Sequence, residues 1–154
     1  MPSASHTEPA ASDHKEDHKE GHKEGHKEGH GQSAEDIAAE VAKLDSFADA
    51  MHEIAEHQEE IEHLIEAGKL TEVHPPAQHI SLIAKRLFEL ARKSEIPEEH
   101  WQEINTQSRA LANLFDEIDE AADANKEPET KAAVAKMGKL IDSLKAKLKS
   151  QSNN

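Results

Sequence analysis

The large apolar residues are confined to one part of the chain. Every Leu, Ile, Val and Phe lies at or after Ile37, and the first 33 residues contain none of them. A segment without apolar surface cannot offset the conformational entropy that it loses on folding. Over the whole chain these four types make up about 18% of the residues, below the roughly 20% that marks disorder in a strongly charged chain. We therefore predict a disordered, histidine-rich tail over 1–33, a folded region over 34–150 and a frayed C-terminus at 151–154.

The folded region places apolar residues at steps of three and four, the pattern of amphipathic helices, and shows no strand pattern. The first stripe starts after the N-cap Ser33 and ends before Gly68, which predicts one helix of about nine turns. Three further helices are predicted over 75–93, 97–125 and 128–150. Connections of roughly 4–8 residues between such helices are typical of an up-down-up-down bundle. The predicted fold is therefore an all-α, antiparallel four-helix bundle behind the tail.

Charge is distributed unevenly along the chain. Residues 34–130 carry a net charge of −16, whereas 131–154 carry +5. The acidic field repels phosphates, so nucleic acid is not an expected partner. We expect the lysines of the last helix to pair with acidic neighbours inside the same fold. No run approaches the ~20 apolar residues of a membrane span, so none is expected.

Several catalytic and cofactor chemistries lack their residues. The chain has no cysteine, which removes disulfides, thiolate metal sites and covalently attached haem. A di-metal oxidase needs Glu-x-x-His on two helices, and only Glu60–His63 has this form. The last helix has no histidine to ligate haem, and Met51 and Met137 suit core packing equally well, so haem is not expected. No serine elbow or phosphate-binding loop occurs. We expect a protein that is not an enzyme.

The strongest chemical signal is a repeat of HKEG type in the tail. It places five histidines at four-residue spacing: His14, His18, His22, His26 and His30. The interspersed glycines disfavour a helix, so we interpret the repeat as a flexible tether. Imidazole is a common ligand of Cu(II), Ni(II), Zn(II) and Co(II), and a flexible strand can wrap several imidazoles around one ion. The repeat thus predicts a metal-binding tail; the alternative is a solvating polar linker.

A second possible metal site lies on the predicted bundle. Folding the first two helices antiparallel about Lys69 brings four ligand-type residues toward the hairpin end: Glu59, His63, His74 and His79. Glu59 and His63 share a helix face at the i, i+4 spacing that lets two side chains hold one ion. A weaker grouping combines His52, Glu56 and His100. The alternative for each histidine is an ordinary surface residue among many acids.

The hairpin also carries a resemblance. The stretches MHEI at 51–54, IEH at 61–63 and EAGKLTEVH at 66–74 resemble small bacterial extracytoplasmic bundles of the cytochrome-b-like four-helix type, over about residues 47–148. Some members of that group are encoded beside heavy-metal efflux systems. Histidine-rich metal-binding bundles of the periplasm match the general plan equally well. The resemblance implies a haem-free periplasmic four-helix bundle that binds or buffers metal.

These observations lead to one functional expectation with two rivals. We expect binding and buffering of divalent transition-metal ions (Cu, Ni, Zn or Co) in metal homeostasis or resistance, with a metal-efflux component as a candidate partner. The rivals are an interaction protein whose histidines sense pH, and a hydrophilic, stress-protective helical protein. The N-terminus has neither the basic start nor the apolar run of a signal peptide. We therefore expect a cytoplasmic protein or the mature part of a periplasmic one, as a monomer or weak dimer.

Overall fold

A computed structural model describes residues 33–152, and this part of the chain is all-helical, without a β-strand. The predicted fold class is confirmed at that level. None of its helices has the length and apolarity that crossing a bilayer would need. The tail prediction falls outside the described residues.

The described part of the chain contains six α-helices and two short 3-10 helices. The 3-10 helices are Leu70–Glu72 and Glu98–His100. The α-helices are α1 (Ala34–Val41), α2 (Phe47–Glu66), α3 (His74–Ala84), α4 (Leu87–Lys93), α5 (Trp101–Asp123) and α6 (Glu127–Ser152).

The first predicted helix is wrong in its continuity, because the chain leaves the helix after Val41 and starts α2 only at Phe47. Ser46 caps the new helix, since its side-chain oxygen accepts a hydrogen bond from the backbone N–H of Asp49 at 3.0 Å. The backbone N–H of Phe47 donates to Ser94 Oγ, also at 3.0 Å. These bonds satisfy two of the N–H groups that a helix start leaves without a partner. The break turns α1 so that it packs against α3.

The second predicted helix is also divided, by a turn at Lys85 and Arg86 between α3 and α4. The Arg86 guanidinium stabilises this turn through contacts with a distant part of the chain. It donates hydrogen bonds to the backbone carbonyls of Val41 and Leu44, the latter at 3.1 Å. These carbonyls lie at the end of α1 and in the connection that follows. Arg86, which lies at the second break, is therefore hydrogen-bonded to the backbone at the first break.

The helices share one apolar core. α2 packs against α3 and α6, and α5 packs against α3, α4 and α6. The largest side chains that are almost fully buried come from α1 to α5: Ile37, Phe47, Met51, Ile54, Ile61, Ile80, Ile83, Leu87, Leu90, Ile104, Leu111 and Ile118. α6 adds Met137, Ile141 and Leu144, which are also buried. The apolar stripes read from the sequence supply this core, which fits the hydrophobic driving force for helix packing.

The basic last helix pairs with acidic neighbours, as predicted. On α6, Lys136 Nζ lies 2.8 Å from Glu117 Oε1, and Lys147 Nζ lies 2.6 Å from Glu103 Oε2. Both carboxylates belong to α5, so the basic last helix forms ion pairs with the acidic helix that precedes it.

Candidate functional site

The repeat histidines His14, His18, His22, His26 and His30 lie outside the described residues. The last of them is three positions before Ser33, whose side chain caps α1 by accepting a hydrogen bond from the backbone N–H of Asp36. Along the sequence, only Gly31 and Gln32 separate the repeat from the N-cap of α1.

Two of the predicted hairpin ligands lie on the surface of α2. Glu59 and His63 are both exposed, one helical turn apart. The i, i+4 relation that the sequence predicted holds, since both residues belong to one uninterrupted helix. This pair is accessible to an ion in solution.

His74, the third predicted ligand, contacts α5. Its Nδ1 lies 2.6 Å from Asp119 Oδ1, and its ring meets the Phe115 ring edge-on with centroids 5.2 Å apart. The residue opens α3, so these contacts attach the start of that helix to α5. One nitrogen of the His74 ring is thus already engaged with a carboxylate.

His79, the fourth predicted ligand, is buried between helices, with 6% of its surface exposed. Its ring stacks on that of His57 from α2, with centroids 4.2 Å apart and planes 28° from parallel. Burial lowers the pKa of His79, and the neighbouring His57 lowers it further, whereas Glu40 and Glu60 act in the opposite direction. His79 therefore favours the neutral imidazole.

His57 is the residue that sequence reasoning missed. Its Nδ1 lies 3.4 Å from Glu60 and its Nε2 lies 3.9 Å from Glu53, so carboxylates flank both ring nitrogens. Glu53 and His57 already show the i, i+4 spacing in the sequence, and that spacing was the available signal.

The pairing of His57 with His79 results from the connection between α2 and α3. His57 precedes the end of α2 at Glu66 by nine residues, about 14 Å of helix, whereas His79 follows the start of α3 at His74 by five residues, about 8 Å. The connection therefore doubles back beside the end of α2, where the 3-10 helix Leu70–Glu72 contacts that helix. Folding about Lys69 omits this return and places Glu59 and Glu60 opposite His79 instead.

The four hairpin residues are consequently not brought together. Within residues 33–152, no group of three or more His, Asp or Glu side chains is arranged to hold a metal ion. The weaker grouping is also divided, since His52 Nε2 lies 3.4 Å from Glu56 whereas His100 Nε2 lies 3.6 Å from Glu99. Five histidines of the described residues instead take carboxylate or aromatic partners: His52, His57, His74, His79 and His100.

Comparisons of the chain with protein-family models, curated proteins and solved structures find no match. The site must therefore be interpreted from its own residues.

The environment of His79 predicts a pH dependence of stability. Because its pKa is lowered in the folded state, the unfolded chain binds the proton more readily as pH falls through about 6.5. The stabilising contribution is present above that pH and is lost below it. We expect H79Q to lose less unfolding free energy than the parent chain between pH 7.5 and 5.5.

Urea denaturation at both pH values, with chelator present, measures this difference. H63Q is the matched control, because His63 is an exposed histidine on the neighbouring helix and its replacement should leave the difference between the two pH values unchanged. An equal loss of stability in H79Q and the parent chain would contradict the prediction.

Proposed function

We propose that this chain binds and buffers divalent transition-metal ions (Cu, Ni, Zn or Co) through its histidine repeat. The observation that carries the proposal is the spacing of His14, His18, His22, His26 and His30 at intervals of four residues. We assign this activity to metal homeostasis or resistance, with a metal-efflux component as the candidate partner. A leader sequence in the native gene and an adjacent efflux gene would support a periplasmic location.

The chemistry of the repeat suits capture rather than selective storage. Neutral imidazole binds all four metals, and Glu16, Glu20, Glu24 and Glu28 supply carboxylates between the histidines. A chain without fixed geometry imposes little preference on the ion, so we expect fast exchange and modest selectivity between metals.

The folded region supports capture by its charge. Residues 34–130 carry a net charge of −16, and this field raises the local concentration of cations around the tail. The hairpin is a weaker capturing site than the repeat, because His74 and His79 already interact with Asp119 and His57. Any ion held at the hairpin would have to displace those contacts.

We also propose that the long helical segments form an up-down-up-down bundle. The support is the order of contacts: α2 with α3, α3 with α5, α5 with α6, and α6 with α2. Each segment thus packs against the segment that follows it, and the last returns to the first. Such a cycle is what four antiparallel helices with short connections produce.

Calorimetric titration of the full-length chain with Ni(II), Cu(II) and Zn(II) at pH 7.5 tests the metal proposal. We expect dissociation constants tighter than about 100 μM for at least one of them. Affinity should fall steeply below about pH 6, because protons compete for the imidazole nitrogens. Repeating the titration at pH 5.5 tests whether the bound metal depends on neutral imidazole.

Absence of any binding tighter than about 100 μM at pH 7.5 would overturn the proposal. An interaction or stress-protective function would then be the better interpretation. A protein partner that binds this chain equally well with and without chelator would favour the interaction function.

A further inference from the structure

Two cations of this acidic region line one groove from different helices. Lys85 directly follows the end of α3 and Arg109 lies on α5, and both line a groove of about 470 Å³. Within the part of the chain that the structure describes, neither side chain forms an ion pair with a carboxylate. Their positive charges are therefore uncompensated by neighbouring side chains.

The rest of the groove combines apolar and neutral polar surface. Ala84, Phe88 and Ala112 contribute apolar lining, and Phe88 is half-buried. Asn105 and Asn113 also line the groove, and asparagine side chains carry amide groups that can donate hydrogen bonds. Apolar walls with a few polar groups, in a volume of several hundred Å³, are typical of small-molecule sites.

One carboxylate, Glu89, also lines the groove, and its charge is compensated. Its Oε1 lies 3.0 Å from Lys93 Nζ, and the hydrogen bond from Lys93 lowers its pKa. A further cation lies close by, since the Arg92 guanidinium is 5.7 Å from the centroid of the Phe88 ring. The local balance at the groove is thus positive, although the region as a whole is acidic.

We propose that this groove binds a small organic carboxylate with an aromatic or compact apolar body. The carboxylate accepts hydrogen bonds from Lys85 and Arg109, which suit it because charge-assisted bonds are the strong ones. The apolar body packs against Phe88 and the two alanines. The site is independent of the metal-binding tail, because none of its residues belongs to the repeat.

NMR titration of the 15N-labelled full-length chain with benzoate tests the proposal. Chelator is present so that a tail-bound metal cannot recruit the carboxylate, and chloride is exchanged for benzoate so that ionic strength stays constant. We expect shifts confined to residues 84–89 and 105–113, with a dissociation constant of about 1–10 mM for so small a ligand. Benzamide, its neutral counterpart, should bind about tenfold more weakly.

The double variant K85A/R109A should weaken benzoate binding about tenfold or more. The matched control K69A/K139A removes two exposed cations outside the groove and should leave binding unchanged. Dispersed shifts, equal binding of benzamide, or full binding by K85A/R109A would each overturn the proposal. None of these results depends on whether the repeat binds metal.

Discussion

Replacement of all five repeat histidines by asparagine is expected to weaken Ni(II) binding by the full-length chain at least about 100-fold at pH 7.5. The substitutions are H14N, H18N, H22N, H26N and H30N. Asparagine keeps the segment polar and flexible but removes the imidazole ligands. The effect should be large because no group of three or more His, Asp or Glu side chains in residues 33–152 is arranged to take over the ion. Calorimetry measures the change.

A matched variant separates the imidazoles from the charge of the repeat. Replacing the four repeat lysines by glutamine (K15Q, K19Q, K23Q and K27Q) alters the charge of the same segment but keeps every histidine. We expect this variant to bind Ni(II) within about threefold of the parent chain, since coordination rather than long-range charge dominates. A loss below about tenfold in the five-histidine variant would instead place the ion on the folded region. The hairpin residues Glu59, His63, His74 and His79 would then be the next to substitute.

Arg86→Ala is expected to lower the free energy of unfolding by about 2–3 kcal/mol. The guanidinium donates to the carbonyls of Val41 and Leu44, and both bonds are partly buried. Truncation leaves two acceptors without their donor, in a position where water replaces it only in part. The same contact helps to attach the end of α1 to the rest of the fold, together with the packing of Ile37 and Val41 in the core. We therefore also expect the substitution to accelerate amide exchange, relative to the parent chain, more over Ala34–Val41 than over α5.

Urea denaturation and amide hydrogen exchange measure the two effects. R109A is the control, since Arg109 is exposed and forms no ion pair with the side chains of 33–152, and it should change stability by about 0.5 kcal/mol or less. Equal destabilisation by R86A and R109A would show that the bonds to α1 contribute nothing beyond the loss of an arginine side chain.

The helical periodicity of the sequence predicted the fold class and the core, but not the breaks. Ile37, Val41, Leu44 and Phe47 continue one apolar stripe through the first break, so the spacing alone indicates an unbroken helix. A local signal was present, because Ser46 has Asp49 three residues later, the same arrangement that marks the start at Ser33. The second break had no such signal. It occurs where Arg86 reaches carbonyls more than 40 positions away along the chain.

The candidate ligands show the same division. The sequence correctly placed Glu59 and His63 one turn apart, since that relation depends only on helix geometry. Which residue faces His79 depends on how the chain returns after α2. Because the connection returns beside the end of α2, the residue that faces His79 is His57 and not the predicted Glu59.

The sequence by itself determined that residues 34–150 form helices with one buried face and that the first 33 residues lack the apolar surface for a core. Both conclusions rest on local properties, namely periodicity and composition. Only the tertiary structure decided where the helices break, that His57 stacks on His79, and that Lys85 and Arg109 share a groove. Those outcomes depend on contacts between residues distant in the chain. Their geometry follows from how the helices pack and connect, which no local pattern encodes.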